Sequence, residues 1–104
     1  MNIKLAWDFY PDAYESLFPE ITLFNWDTDG NTNETIDLMI FPGGEDVTLE
    51  YYCSPDIVRQ FKNVCYPNRQ RDDYEINILD ACYDGRLKVN KILGVCRGLQ
   101  LLNV

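Results

Sequence analysis

Cys96 lies between two glycines, in a setting that suits a nucleophile. The run Gly94-Val95-Cys96-Arg97-Gly98 separates one apolar segment from a second that has helical character. A strand that turns this sharply into a helix holds its central residue in strained backbone angles, and small neighbours let the chain pass without a clash. The pattern predicts a strand-turn-helix elbow that presents the Cys96 thiol to a carbonyl carbon. A small buried side chain without chemistry, the usual fate of a free cysteine, is the alternative.

Backbone N–H groups near Cys96 could hold the oxyanion that forms when sulfur adds to a carbonyl carbon. The residue after the nucleophile of such an elbow has a well-placed N–H, which makes Arg97 one candidate donor. Pro42-Gly43-Gly44 ends an earlier apolar segment, and glycine lets a backbone N–H approach a substrate closely. We predict Gly44 as the second donor and Gly43 as the turn-forming residue beside the substrate. The alternative is that both glycines only close a turn.

The chain contains no histidine, which limits what Cys96 can do alone. Histidine is the commonest general base for cysteine catalysis near neutral pH, so these residues cannot form a self-contained Cys-His enzyme. The other cysteines, Cys53, Cys65 and Cys82, form no C-x-x-C pair and lack the glycine-flanked setting, so we expect structural roles for them. We expect no metal site, no cofactor and no disulfide framework.

The charge of the chain argues against two classes of partner. Seventeen acidic and nine basic residues give a net charge of −8, which repels the phosphates of nucleic acids and anionic membrane surfaces. No apolar run approaches the roughly 18 residues that a membrane-spanning helix needs, and the first residues lack the features of a signal peptide. We therefore expect a cytoplasmic protein that binds neither nucleic acid nor membrane.

Apolar segments with strand character alternate with helical patterns along the chain. The predicted strands are 3–7, 21–26, 36–41 and 89–95, the predicted helices are 12–18, 69–84 and a short one after the elbow, and 27–30 is a predicted loop. Such alternation indicates an α/β fold with a mostly parallel sheet flanked by helices, in which ligands bind beyond the carboxyl ends of the strands. Both glycine clusters follow such strand ends. We expect residues 1–104 to form a single unit.

Three segments resemble a known family in order along the chain. Residues 93–104 are similar, almost residue for residue, to the nucleophile motif of the γ-glutamyl-γ-aminobutyrate hydrolase (peptidase C26) branch of the class I glutamine amidotransferase-like family. Residues 41–47 resemble the oxyanion-strand motif of that family, and Arg71-Asp72-x-x-Glu75 resembles the start of its helix before the nucleophile strand. The resemblance implies a flavodoxin-like fold, of which residues 1–104 form an N-terminal portion that is incomplete at its C-terminus.

The resemblance also implies an activity. Cys96 would attack the γ-carboxamide of a glutamine-like or γ-glutamyl small molecule, while Gly44 and Arg97 hold the oxyanion through their N–H groups. Gln100 would line the glutamyl pocket, although a solvated position on the helix is the alternative. For Arg71, Asp72 and Glu75 we expect helix capping and ion pairing at the surface rather than a role in the site.

One part of the family pattern is missing from these 104 residues. In the family, a histidine that activates the thiol and a glutamate that orients it follow later in the chain, and neither is present up to Val104. We therefore expect the chain by itself to be inactive, with a second chain or a missing C-terminal half supplying both groups. Two other functions stay open: an ammonia-donating glutaminase subunit of an amidotransferase, and a catalytically inactive remnant with a binding or regulatory role.

Overall fold

A computed structural model of the chain describes residues 1–30, 33–44, 54–56, 59, 68–95 and 97–102. Within these ranges, strands and helices alternate as the sequence predicts. The strands are β1 (Ile3–Leu5), β2 (Thr22–Leu23), β3 (Ile36–Phe41) and β4 (Val89–Gly94). The helices are α1 (Pro11–Glu15), α2 (Trp26–Asp29), α3 (Arg69–Tyr83) and α4 (Arg97–Leu102).

The four strands form one parallel sheet in the order β2-β1-β3-β4. The register pairs Leu5 of β1 with Ile40 of β3, and Phe41 of β3 with Gly94 of β4. Strands β2 and β3 lie on opposite sides of β1, so the order of the strands reverses direction between β1 and β3. Open α/β sheets bind ligands at such a point. The predicted α/β fold is confirmed and is compatible with a flavodoxin-like arrangement.

Alternating side chains of the central strands form two apolar layers. Ile3, Leu5 and Ile40 lie on one face, where side chains of the α1 region pack on them. Met39 and Phe41 lie on the other face, in a buried cluster that includes residues of both α3 and α4. Helices therefore cover both faces of the sheet, as a parallel sheet requires.

Helix α3 buries the apolar stripe that its spacing predicts. Ile78 and Ala81 are buried in the core, and Tyr74 and Cys82 are half-buried against it. The Asn68 side chain accepts a hydrogen bond from the Arg71 N–H and caps the start of the helix. At the other end the chain leaves the helix through Gly85, whose φ of 84° lies in the left-handed region that glycine tolerates.

The prediction for residues 21–30 is wrong in part. The strand is shorter than predicted, Thr22–Leu23, and the predicted loop is helix α2. The cause is local, because the Asn25 side chain accepts the Asp27 N–H and the Asp29 carboxylate accepts the Asn25 N–H. Two other elements are shorter than predicted, since β1 ends at Leu5 and α1 ends at Glu15. Between residues 46 and 68 the structure describes 54–56, 59 and 68, with Pro55 and Asp56 helical.

Helix α4 packs its first turn directly on the end of β3. The Val95 N–H donates to the Phe41 carbonyl at 3.0 Å, and the Gly98 N–H donates to the Val95 carbonyl at 2.9 Å. A β-carbon added at Gly98 would overlap the Phe41 carbonyl oxygen. Glycine is therefore required here by the close approach of two backbones.

We expect Gly98→Ala to lower the free energy of unfolding by about 3 kcal/mol, because the new methyl group must push α4 away from Phe41. Gly85→Ala is the matched control. Nothing lies within 4 Å of its added β-carbon, so only the left-handed backbone costs energy, about 1 kcal/mol. Urea unfolding followed by the fluorescence of Trp7 and Trp26 measures both changes, and equal losses would contradict the packing argument.

Candidate functional site

The two predicted glycine clusters lie at the same edge of the sheet. Phe41 and Gly94 are register partners at the carboxyl ends of β3 and β4. The segment Pro42-Gly43-Gly44 continues directly from Phe41, and Val95 continues from Gly94. Neighbouring strands are about 4.8 Å apart, so the sheet brings together two segments that are separated by half of the chain.

The two glycines after β3 differ in hydrogen bonding and in backbone conformation. The Gly43 N–H donates to the hydroxyl of Tyr14, at 3.1 Å. Gly44 is exposed and has a φ of 139°, so the backbone conformation that needs glycine falls at Gly44 rather than at the predicted turn-former Gly43. With its N–H engaged by Tyr14, Gly43 is less available as an oxyanion donor than Gly44.

The predicted elbow is described on both sides of its central residue. Cys96 itself lies outside the described residues, and its catalytic role stays a prediction. Arg97 begins α4, and Gln100 lies one turn further along the same helix. The oxyanion role of the Arg97 N–H and the substrate-binding roles of Gly43 and Gln100 likewise stay predictions.

The side chain of Arg71 joins helix α3 to the glycine pair. Its Nη2 donates to the carbonyl oxygens of Pro42, at 2.9 Å, and Gly43, at 2.7 Å. Its guanidinium carbon lies 5.1 Å from the ring centre of Phe9, within the range of a cation–π contact. Its Nε donates to Glu75 Oε1 at 2.5 Å. Arg71 is completely buried, so its charge is held entirely by these and other protein groups.

Glu75 continues this connection to the elbow. Its second oxygen, Oε2, accepts from Arg97 Nη1 at 3.0 Å, and Arg97 Nη2 pairs with the carboxylate of Asp72. All four side chains are almost fully buried. We call Arg71, Asp72, Glu75 and Arg97 the ionic cluster. Its two guanidinium and two carboxylate groups balance in formal charge, which a buried cluster requires.

The expectation of surface ion pairing for Arg71, Asp72 and Glu75 is wrong. All three are buried, because the carbonyl groups after β3 and the side chain of Arg97 cover them. A signal for this burial exists in the sequence. Positions 71 and 75 extend the buried stripe of Ile78 and Cys82 by one helical turn each, so they lie on the face of α3 that packs on the sheet.

An apolar cavity of about 210 Å³ lies beside the carboxyl ends of β1 and β2. The Tyr74 ring packs edge to face on Trp7, and its hydroxyl donates to the Phe24 carbonyl at 3.4 Å. Burial, with smaller contributions from Asp29 and Asp27, raises the pKa of the Tyr74 hydroxyl, which keeps it protonated as a donor. The cavity suits an apolar group, and its lining includes Ala6, Trp7, Asp8, Leu23, Phe24 and Tyr74.

Two features are absent from the part of the chain that the structure describes. None of its helices is long and apolar enough to cross a membrane. Among the same residues, no group of three or more His, Cys, Asp or Glu side chains is arranged to hold a metal ion. The carboxylates of Asp72 and Glu75 are instead bound to arginine.

Known proteins have related sequences over most of this chain. The sequence model of the Peptidase C26 family matches residues 25–104. A glutamine amidotransferase-like protein of Rickettsia prowazekii is 34% identical over 87 residues, which cover 83% of this chain and 28% of the relative. Protein NtpR of Enterococcus hirae is 38% identical over 72 residues, which cover 68% of this chain and 27% of the relative. No solved structure matches.

These matches show that the chain is a class I glutamine amidotransferase-like protein, and the parallel sheet is compatible with the fold of that class. Within that class, the chain belongs to the Peptidase C26 family. The matched regions span just over a quarter of the length of these two relatives. The family that the sequence resemblance predicts is thus confirmed, as is the prediction that the chain corresponds to an N-terminal part of it.

We expect Glu75→Gln to lower the free energy of unfolding by about 3 to 5 kcal/mol, since it leaves two buried guanidinium groups with one carboxylate. Asp84→Asn is the matched control. Asp84 is exposed and pairs with exposed Arg86, so its loss should change stability little. Urea unfolding measures both variants. A Glu75→Gln protein as stable as the Asp84→Asn protein would show that the ionic cluster is not held as described.

Cys82 should react slowly with alkylating reagents in the folded protein. Burial, and to a smaller extent the charge of Asp84, raises the pKa of its thiol to about 11. At pH 8 roughly one Cys82 in a thousand is then a thiolate, and the rate should rise about tenfold per pH unit until the pH nears the pKa. Peptide mass mapping after timed iodoacetamide treatment measures the rate. Urea-unfolded protein is the control, and equal rates in both states at pH 8 would contradict the expectation.

Proposed function

We propose that this chain carries the nucleophile and oxyanion groups of a hydrolase that cleaves the γ-amide of glutamine or of a γ-glutamyl compound. The observation that supports this most is the register of Phe41 with Gly94. It puts the glycine pair and the elbow side by side, which is what two oxyanion donors from different segments need. The name of the Rickettsia relative, a glutamine amidotransferase-like protein, agrees with this substrate class.

The proposed reaction divides one difficult step into two. The Cys96 thiolate forms a bond to the γ-carbonyl carbon, and the oxygen becomes an oxyanion held by the N–H groups of Gly44 and Arg97. When the carbonyl re-forms, the C–N bond breaks, and the nitrogen takes a proton and leaves as ammonia or an amine. Water then attacks the thioester, which releases the γ-carboxylate and the thiol. Gln100 contacts the glutamyl part of the substrate.

Proton transfer in this reaction needs a base that these 104 residues do not contain, since they include no histidine. We propose that a histidine and a glutamate come from further chain or from a second chain. The intact mass of the protein as its native host makes it, compared with 12.2 kDa for these residues, distinguishes the two sources. A larger mass supports further chain, and a mass of 12.2 kDa supports a partner.

The first test is affinity labelling of Cys96 in the protein as its host makes it. The reagent is the chloromethyl ketone analogue of L-glutamine, whose carbonyl oxygen occupies the oxyanion position while sulfur displaces chloride. We expect Cys96 to react with the L reagent about tenfold or more faster than with the D reagent, because only the L form fits a glutamyl pocket. Peptide mass mapping locates the label, and the D reagent reports unselective alkylation at the same thiol.

Cys96→Ser is the matched control and should abolish the labelling with little change in stability. Equal rates for the L and D reagents at Cys96 would sink the proposal. The catalytically inactive alternative would then stand. An ammonia-donating glutaminase would label as proposed but would hydrolyse glutamine only with its synthetase partner present, so glutamine hydrolysis by the protein alone separates it from an independent hydrolase.

A further inference from the structure

We infer that Arg71, with Tyr14 opposite it, is a positioning residue that sets the direction of the Gly44 N–H. This inference rests on the proposed function, in which that N–H holds the oxyanion. It assigns a role in the reaction to a charged residue of α3 that acts through the backbone of the glycine pair.

A planar trans peptide unit has its C=O and N–H groups pointing in opposite directions. A donor that fixes the carbonyl oxygen therefore also fixes the direction of the N–H. Arg71 Nη2 holds two successive carbonyl groups, those of Pro42 and Gly43. It thus orients two successive N–H groups, those of Gly43 and Gly44, away from the buried guanidinium.

In the first of these peptide units, both the carbonyl group and the N–H group have hydrogen-bond partners. Its carbonyl oxygen, on Pro42, accepts from Arg71, and its N–H, on Gly43, donates to Tyr14 at 3.1 Å. In the second unit the carbonyl oxygen of Gly43 accepts from the same nitrogen of Arg71 at 2.7 Å. The Gly44 N–H must then point away from Arg71, on a residue that is exposed. This is the direction from which a substrate could approach.

The space around Gly44 fits this role. A β-carbon at Gly44 would overlap Arg71 Nη1 and would lie 3.3 Å from the ring of Phe9. The guanidinium thus occupies the volume that a side chain would need, and Phe9 covers it from the other side. Glycine at 44 is required both by its φ of 139° and by the close approach of Arg71.

Glu75 extends the positioning to the second donor. It binds Arg71 through Oε1 and Arg97 through Oε2, so one rigid carboxylate joins the residue that orients Gly44 to the residue whose own N–H is the other donor. Both proposed donors are therefore tied to one turn of α3. A lysine could not replace Arg71, because it lacks the planar fork that reaches two carbonyl groups and a carboxylate together.

The test compares two reactions at Cys96 in the protein as its host makes it. The chloromethyl ketone analogue of L-glutamine needs the oxyanion donors, whereas chloroacetamide alkylates the thiolate without them. In Arg71→Lys, we expect the ratio of the first rate to the second to fall about tenfold or more, with chloroacetamide reactivity unchanged. A merely structural role would lower the melting temperature without moving this ratio.

Arg86→Lys, the same change at an exposed arginine, is the matched control and should leave the ratio as it is. Tyr14→Phe is the second variant, since it leaves the buried charges intact and removes only the acceptor of the Gly43 N–H. We expect its ratio to fall about fivefold, the loss of roughly one hydrogen bond. This variant decides the question where Arg71→Lys does not fold.

An unchanged ratio in folded Arg71→Lys overturns the inference, as does an unchanged ratio in Tyr14→Phe where the lysine variant is unfolded. The proposed function fails in a different way. If the unsubstituted protein shows no preference for the L reagent over the D reagent at Cys96, both the proposed function and this inference fall. A normal preference with an unaffected variant ratio removes this inference alone.

Discussion

The pairing of two buried guanidinium groups with two buried carboxylates is the constraint on which the arrangement of this site depends. Each of these charges would be costly to bury alone, and the desolvation cost is offset only while all four keep their partners. The ionic cluster therefore forms as a whole or not at all. Because its members come from α3 and from the first residue of α4, its formation fixes the elbow against the helix that precedes β4.

Close contacts with the ionic cluster and with the end of β3 explain why glycine occurs at two positions. At Gly44 the volume of a side chain is taken by Arg71, and at Gly98 it is taken by the carbonyl oxygen of Phe41. Glycine at 44 thus lets the glycine pair approach Arg71, and glycine at 98 lets α4 approach the end of β3. Phe41 lies between these two contacts, because the chain runs from it into the glycine pair while its carbonyl accepts the Val95 N–H. Tight backbone packing and buried charge stabilise the same corner of the sheet.

The sequence predicts those parts of the structure that a local pattern determines. Strand β3 is a continuous apolar run and was predicted to the residue, and α3 follows from its stripe. Helix α2 was missed because a cap at Asn25 outweighs the strand propensity of its neighbours. The burial of Arg71 and Glu75 was missed for a different reason. An i, i+4 ion pair has the same spacing at a surface as in a core, and the groups that bury it, the carbonyls of Pro42 and Gly43, lie nearly thirty residues away in sequence.

Three separate segments of sequence resemble the family, and the structure gives one physical reason why they occur together. The glycine pair supplies a carbonyl group that Arg71 of α3 binds. Glu75 of the same helix binds Arg71, and it also binds Arg97, the second guanidinium, which comes from the elbow. When two oxyanion donors follow different strands, the covalent link between them is long. The precise distance between the donors must therefore come from a rigid connection outside the substrate pocket. Glu75 is such a connection, because its two oxygens bind the arginines on either side. Helix α3 then does more than cover the sheet, because its first two turns hold the two segments that the proposed chemistry requires to act together.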